Sequence, residues 1–268
     1  MYAFAFLVIY IEIVTANLYD CRRVVGGTVT NVFEYPSVAA VLKHFHSRTC
    51  HYYSQVCAGT IINERHVLSA AHCFVCQETD RKLSPQIFRI RVGSSTAHFS
   101  GFTHDINTII IHPDWNADTY DSDIAIMFTA SNIAYSTSVQ PAILPHTNYQ
   151  LQDNEPVWAI GWGYTAEGGA PSEKLRHVKI WTINHTTCKN LYQVHYNITD
   201  NMLCSGWLEI GGRDHCTQDS GSPVYHYGTV VGISSMGIGS GRACYPGISV
   251  RVSRFTKWIQ CTANEIRD

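Results

Sequence analysis

Nine residues, Cys216-Thr217-Gln218-Asp219-Ser220-Gly221-Ser222-Pro223-Val224, restrict this chain more than any other stretch. A serine hydroxyl is a poor nucleophile unless a base removes its proton. A reactive Ser220 therefore demands a fold that brings a histidine to it, with a carboxylate behind that histidine. Both are present far upstream: His72 in Leu68-Ser69-Ala70-Ala71-His72-Cys73, and Asp123 in Asp123-Ile124-Ala125-Ile126. Histidine, aspartate, serine is one of the chain orders that build a Ser-His-Asp triad. A lone Asp-Ser-Gly would carry little weight; three motifs in this order carry much more.

On these motifs the chain resembles the trypsin-like (chymotrypsin-fold) serine endopeptidases, insect digestive trypsins among them, from Val24 to about Ile259. The resemblance implies an all-β fold: two antiparallel six-stranded β-barrels packed with the active site between them, plus a C-terminal α-helix. The peptidase domain would occupy residues 24–268, with barrels at about 24–140 and 141–252 and the helix at about 253–262. It also implies roles. Ser220 attacks the peptide carbonyl, His72 shuttles the proton, and Asp123 fixes the imidazole tautomer. The backbone N–H groups of Gln218 and Ser220 form the oxyanion hole. Asp214 lies at the base of the primary pocket, where a desolvated substrate cation needs a buried counter-charge. Gly237 and Gly247 stand at pocket walls that side chains would block. Together these imply cleavage after Arg or Lys.

Four residues depart from the family pattern: Gln218 where glycine is usual, Met236 where a tryptophan lines the cleft, the bulkier His215 beside the pocket aspartate, and a displaced Cys244. Loss of one oxyanion donor costs about 100- to 1,000-fold in rate. Gln218 and Met236 keep a rival reading open, a catalytically weak or inactive homologue that serves as a binding or regulatory protein. All three triad residues are present, which favours the enzyme.

At 268 residues and 45% hydrophobic, the chain can bury a large core. A net charge of −2 suggests neither nucleic acid nor an anionic membrane as partner. The partners implied are protein or peptide substrates and protein protease inhibitors, with the chain itself a monomer. No cofactor or metal is implied. Ten cysteines point to an oxidising compartment, hence secretion. The short Val/Ile/Thr runs favour strands over helices. Thirteen arginines against six lysines would suit an alkaline medium such as an insect midgut, because arginine keeps its charge at high pH.

Residues 2–14 form an apolar run too short to span a bilayer comfortably, and Val14-Thr15-Ala16 offers small residues for signal-peptidase cleavage. This gives a signal peptide at 1–16 and a propeptide at 17–23. A cut after Arg23 would free the ammonium of Val24. In the resembled family the new terminus turns inward and pairs with the acid before the serine, here Asp219, and so orders the oxyanion loop.

Cys57–Ile62 and His66–Cys73 read as strands around a turn at Asn63-Glu64-Arg65. The resemblance implies disulfides Cys57–Cys73, Cys188–Cys204 and Cys216–Cys244. Cys50 with Cys76 is a further guess, and Cys21 and Cys261 are left to each other or to another chain. His72-Cys73 with Cys76 could suggest zinc, but secretion and the lack of a second ligand cluster favour disulfides. Residues 91–95 hold no acid, so no calcium site is expected there. Asp123 sits at the mouth of an apolar strand, while Asp118 and Asp121 read as solvated loop acids. Pro141–Pro145 resembles the linker between barrels. Trp158 and Trp162 read as core, in the strand near which the activated terminus docks. Asn184-His185-Thr186 and Asn197-Ile198-Thr199 are glycosylation sequons. Ser253 would cap a helix whose Phe255, Trp258 and Ile259 pack on the second barrel.

Overall fold

The computed structural model describes residues 27–46, 50–163, 170–211, 219–239 and 243–265. The expected signal peptide and propeptide with Arg23, the expected new terminus Val24, and Asp214, His215, Cys216 and Gln218 lie outside them.

Six strands make the first unit: β1 (Val38–His46), β2 (His51–Ile61), β3 (His66–Ser69), β4 (Phe88–Val92), β5 (Phe102–Ile111) and β6 (Ala125–Thr129). They close in the order β1-β2-β3-β6-β5-β4, all antiparallel. Six more make the second: β7 (Pro156–Gly161), β8 (Arg176–Thr182), β9 (Met202–Gly206), β10 (Pro223–His226), β11 (Thr229–Met236) and β12 (Gly247–Arg251). Here the ring runs β7-β8-β9-β12-β11-β10, closed where β8 meets β9 and where β7 meets β10. The two rings share one connectivity, a repeat that the sequence does not display. A two-residue strand, Thr28–Val29, adds to the outside of β8. Among the described residues, closure leaves no long barrel edge unpaired.

The strands alternate as barrel strands must. β4 reads buried, half-buried, buried along Phe88, Arg89, Ile90, Arg91 and Val92. One apolar cluster runs through both barrels, from Val38, Ile61 and Ile126 to Ile160, Trp162 and Ile233. The linker is stitched to both: Ala142 N donates to Ile61 O at 2.8 Å, and Ile143 bridges to Thr229.

Helix α1 (His185–Tyr192) starts at Asn184, whose side-chain oxygen accepts from Thr187 N at 3.1 Å, so one sequon asparagine is a helix cap. Asn197 of the other sequon is exposed. Helix α2 spans Val252–Glu265, beyond the expected 253–262 at both ends. Ser253 is therefore buried inside the first turn and is not the cap. Phe255 and Ile259 are buried, but α2 does not rest on the second barrel alone. His112, just past β5, meets Phe255 and Trp258 edge-on at 5.0 and 4.8 Å. The helix ties the two barrels together.

Candidate active site

The turn after β2 is built by Asn63, whose Oδ1 accepts from Arg65 N, His66 N and His66 Nδ1 at 2.8–2.9 Å. β3 then ends at Ser69, earlier than the apolar run through Ala71 suggests. A single 3₁₀ turn, Ala71–Phe74, carries His72, and its flank is bonded to β2 through Cys57–Cys73. The only histidine–cysteine cluster of metal-site dimensions among the described residues is Cys57, His72 and Cys73. Its two sulfurs are bonded to each other and are not ligands.

Asp123 is delivered by a tight loop before β6 in which Tyr120 and Ser122 adopt left-handed backbone angles, φ +56° and +54°. Such conformations are costly for non-glycine residues and persist only where the surroundings enforce them. The Asp123 side chain is fully buried and has three donors. His72 N reaches Oδ1 at 2.8 Å, His72 Nδ1 reaches Oδ2 at 2.7 Å, and Ser235 Oγ reaches Oδ2 at 2.5 Å. The bond from Nδ1 leaves Nε2 as the unprotonated nitrogen of a neutral ring. Burial on its own would depress the His72 pKa; the charge and hydrogen bond of Asp123 outweigh it, and the net shift is upward. Ser235, on β11 of the second barrel, was not singled out in the sequence. Its signal is Ser234-Ser235, two buried polar residues following the buried run Val230–Ile233 in the same strand.

Ser220 lies where the second barrel meets the first. Its carbonyl accepts from Ala58 N at 2.8 Å and approaches Cys73 Sγ at 3.9 Å. Gly221 follows with φ +81°, and a Cβ there would sit 2.2 Å from Ser69 Oγ and 2.3 Å from Ala58 O. The serine turn thus presses on the two strands that lead to His72. Behind it, Gly163 N donates to Asp219 Oδ1 at 2.7 Å, and a Cβ on Gly161 or Gly163 would strike that carboxylate. The Gly161-Trp162-Gly163 stretch is a seat for Asp219. Gly237 and Gly247 face each other: a Cβ on Gly237 would lie 3.9 Å from Gly247 Cα.

Three readings change. Asp121 is half-buried, accepting from Thr199 Oγ1 at 2.6 Å and Asn201 Nδ2 at 3.1 Å, so it bridges the barrels rather than standing in solvent. Cys76 carries a free thiol, so it does not bond Cys50, and Cys261 is likewise an exposed free thiol. Cys188 is bonded to Cys204, fastening α1 to β9. Trp162 is core, whereas Trp158 is only half-buried and lines a cavity of about 600 Å³ at the barrel junction. That cavity includes none of the candidate site residues.

The profile of the family described as Trypsin matches residues 24–259. The chain belongs to the trypsin family. It is 49% identical over 243 residues to Trypsin CFT-1 of Choristoneura fumiferana, covering 90% of this chain and 91% of that protein. It is 47% identical to Trypsin, alkaline B of Manduca sexta, covering 89% and 90%. Achelase-1 of Lonomia achelous is 45% identical, covering 90% and 100%. This trypsin-family chain is accordingly a serine endopeptidase, a hydrolase of peptide bonds whose substrates are proteins.

Proposed function

We propose that this protease is secreted as a zymogen and cleaves after Arg or Lys through Ser220, His72 and Asp123. The observation that carries the reading is the hydrogen-bonded row Ser235–Asp123–His72, with the serine turn pressed against the same strands. Ser220 Oγ attacks the scissile carbonyl as His72 Nε2 takes its proton. Asp123 holds the ring and stabilises the imidazolium. The leaving amine takes the proton back, and water then hydrolyses the acyl-enzyme by the same route.

Asp214 is the proposed partner of the substrate cation, and Gln218 N–H and Ser220 N–H the oxyanion donors. The small facing residues Gly237 and Gly247 suit an open pocket mouth. The seat at Gly161 and Gly163 supports the activation step, in which cleavage after Arg23 lets the Val24 ammonium pair with Asp219. The name of the Manduca sexta relative and the arginine-rich cation set support work at alkaline pH.

Activated protein should hydrolyse an arginine anilide and label at Ser220 with a serine-reactive phosphonate. Arg23→Gln should leave an inert zymogen. Absence of labelling in fully processed protein would refute the reading. A peptide-library profile showing no preference for Arg or Lys would refute the pocket assignment alone.

A further inference from the structure

Across the β1–β2 hairpin, His46 and His51 are direct cross-strand partners. Their Nδ1 atoms stand 2.9 Å apart on the exposed face. His44, two residues before His46, shares that face. Its ring stacks on His51 at 5.5 Å and 11°, and packs against Tyr53 at 5.0 Å. The strand ladder therefore holds the two side chains side by side, while both rings stay open to solvent. Without a ligand the pair shares one proton, one nitrogen donating and the other accepting.

We propose that His46 and His51 form a surface site for a tetragonal divalent cation, Cu(II) first and Ni(II) second, separate from the catalytic centre. Neutral imidazole is the common ligand for these metals, through either ring nitrogen. With metal–nitrogen bonds of about 2.0–2.1 Å, two ligands at a right angle stand about 2.9 Å apart. Tetrahedral ligands stand about 3.4 Å apart, a poorer match to the pair as it stands, and imidazole sites favour Cu(II) over Zn(II). Rotation of each exposed ring about its Cβ–Cγ bond aims both lone pairs at one point without separating the strands. Water fills the remaining positions. Among the described residues the nearby cations are engaged elsewhere: Lys43 lies over Phe45 on the opposite face, and Arg89, on the neighbouring β4, lies over Tyr53 and pairs with Asp105 at 2.5 Å.

CuSO4, NiCl2 and ZnCl2 titrated into the full chain at pH 7.5, followed by calorimetry and for copper by electron paramagnetic resonance, test this. One equivalent of Cu(II) should bind with a two-imidazole signature, with affinity falling from Cu(II) to Ni(II) to Zn(II). His46→Gln and His51→Gln should each weaken Cu(II) binding at least tenfold, and His98→Gln, at a histidine paired with Glu173 at 2.7 Å, should not. Metal-free amidase activity should match wild type in all three variants, which also reports that they fold. Unchanged copper affinity in either hairpin variant, Zn(II) binding above Ni(II), or no stoichiometric copper binding would overturn the proposal.

Discussion

His72 stands under two opposed influences, and the balance sets a pH profile. Burial favours the neutral ring, Asp123 favours the imidazolium, and Asp123 wins. Only the neutral ring can accept the Ser220 proton. Activity should therefore fall as pH drops through a pKa above the ordinary 6.5, and recover above it. Asp123→Asn should move that acid limb to lower pH and cut kcat about 10⁴-fold, the loss established for the equivalent change in this type of triad. Stopped assays across pH 5–9 read both. Ser235→Ala removes a hydrogen bond to a buried carboxylate, worth about 1.5–3 kcal/mol. It should lower kcat by roughly tenfold or more while KM stays within about twofold, because the hydroxyl removed is bonded to Asp123. An equal loss in KM would argue against that role.

Among elements, the turn at Ser220 depends on the absence of a side chain at Gly221. Gly221→Ala places a carbon where Ser69 Oγ and Ala58 O already stand, at a φ that alanine adopts poorly. It should cost at least 100-fold in kcat/KM with far-ultraviolet circular dichroism unchanged. The three side chains proposed for catalysis are legible in the sequence because each sits in a local run of distinctive residues. It did not announce Ser235 or the bridging role of Asp121, because their partners lie 112 and 78 residues away, respectively. The boundary at Ser69 was blurred for another reason. The apolar run Val67–Ala71 satisfies a strand and a buried 3₁₀ turn equally, and only the contact with β6 decides where pairing stops. The common connectivity of the barrels was invisible because it is a property of pairing order, which unlike side chains can satisfy equally.

In the whole molecule, the barrels also meet at Ser37 Oγ and Tyr225 OH, 2.6 Å apart and buried. Burial drives the Tyr225 pKa up, with the Ser37 hydrogen bond opposing it only in part, and burial with nearby Glu34 pushes Tyr35 up to about 12. These phenols stay protonated in the fold but ionise in the unfolded chain near pH 10. The unfolded state then binds fewer protons, so stability is full below pH 10 and declines as pH rises beyond it. Arginine charges survive that range; the raised tyrosines, Tyr225 buried and Tyr35 half-buried, contribute the loss. Urea midpoints measured between pH 8 and 11.5 should fall above pH 10, and less steeply in Tyr225→Phe.

The shared strand order of the two barrels has an operational consequence. The proposed base and orienting acid come from one closed ring, the proposed nucleophile and Ser235 from the other, so turnover gauges how the rings dock rather than whether each exists. Under mild denaturant, hydrolysis should vanish while peptide-bond ellipticity still reports two intact rings.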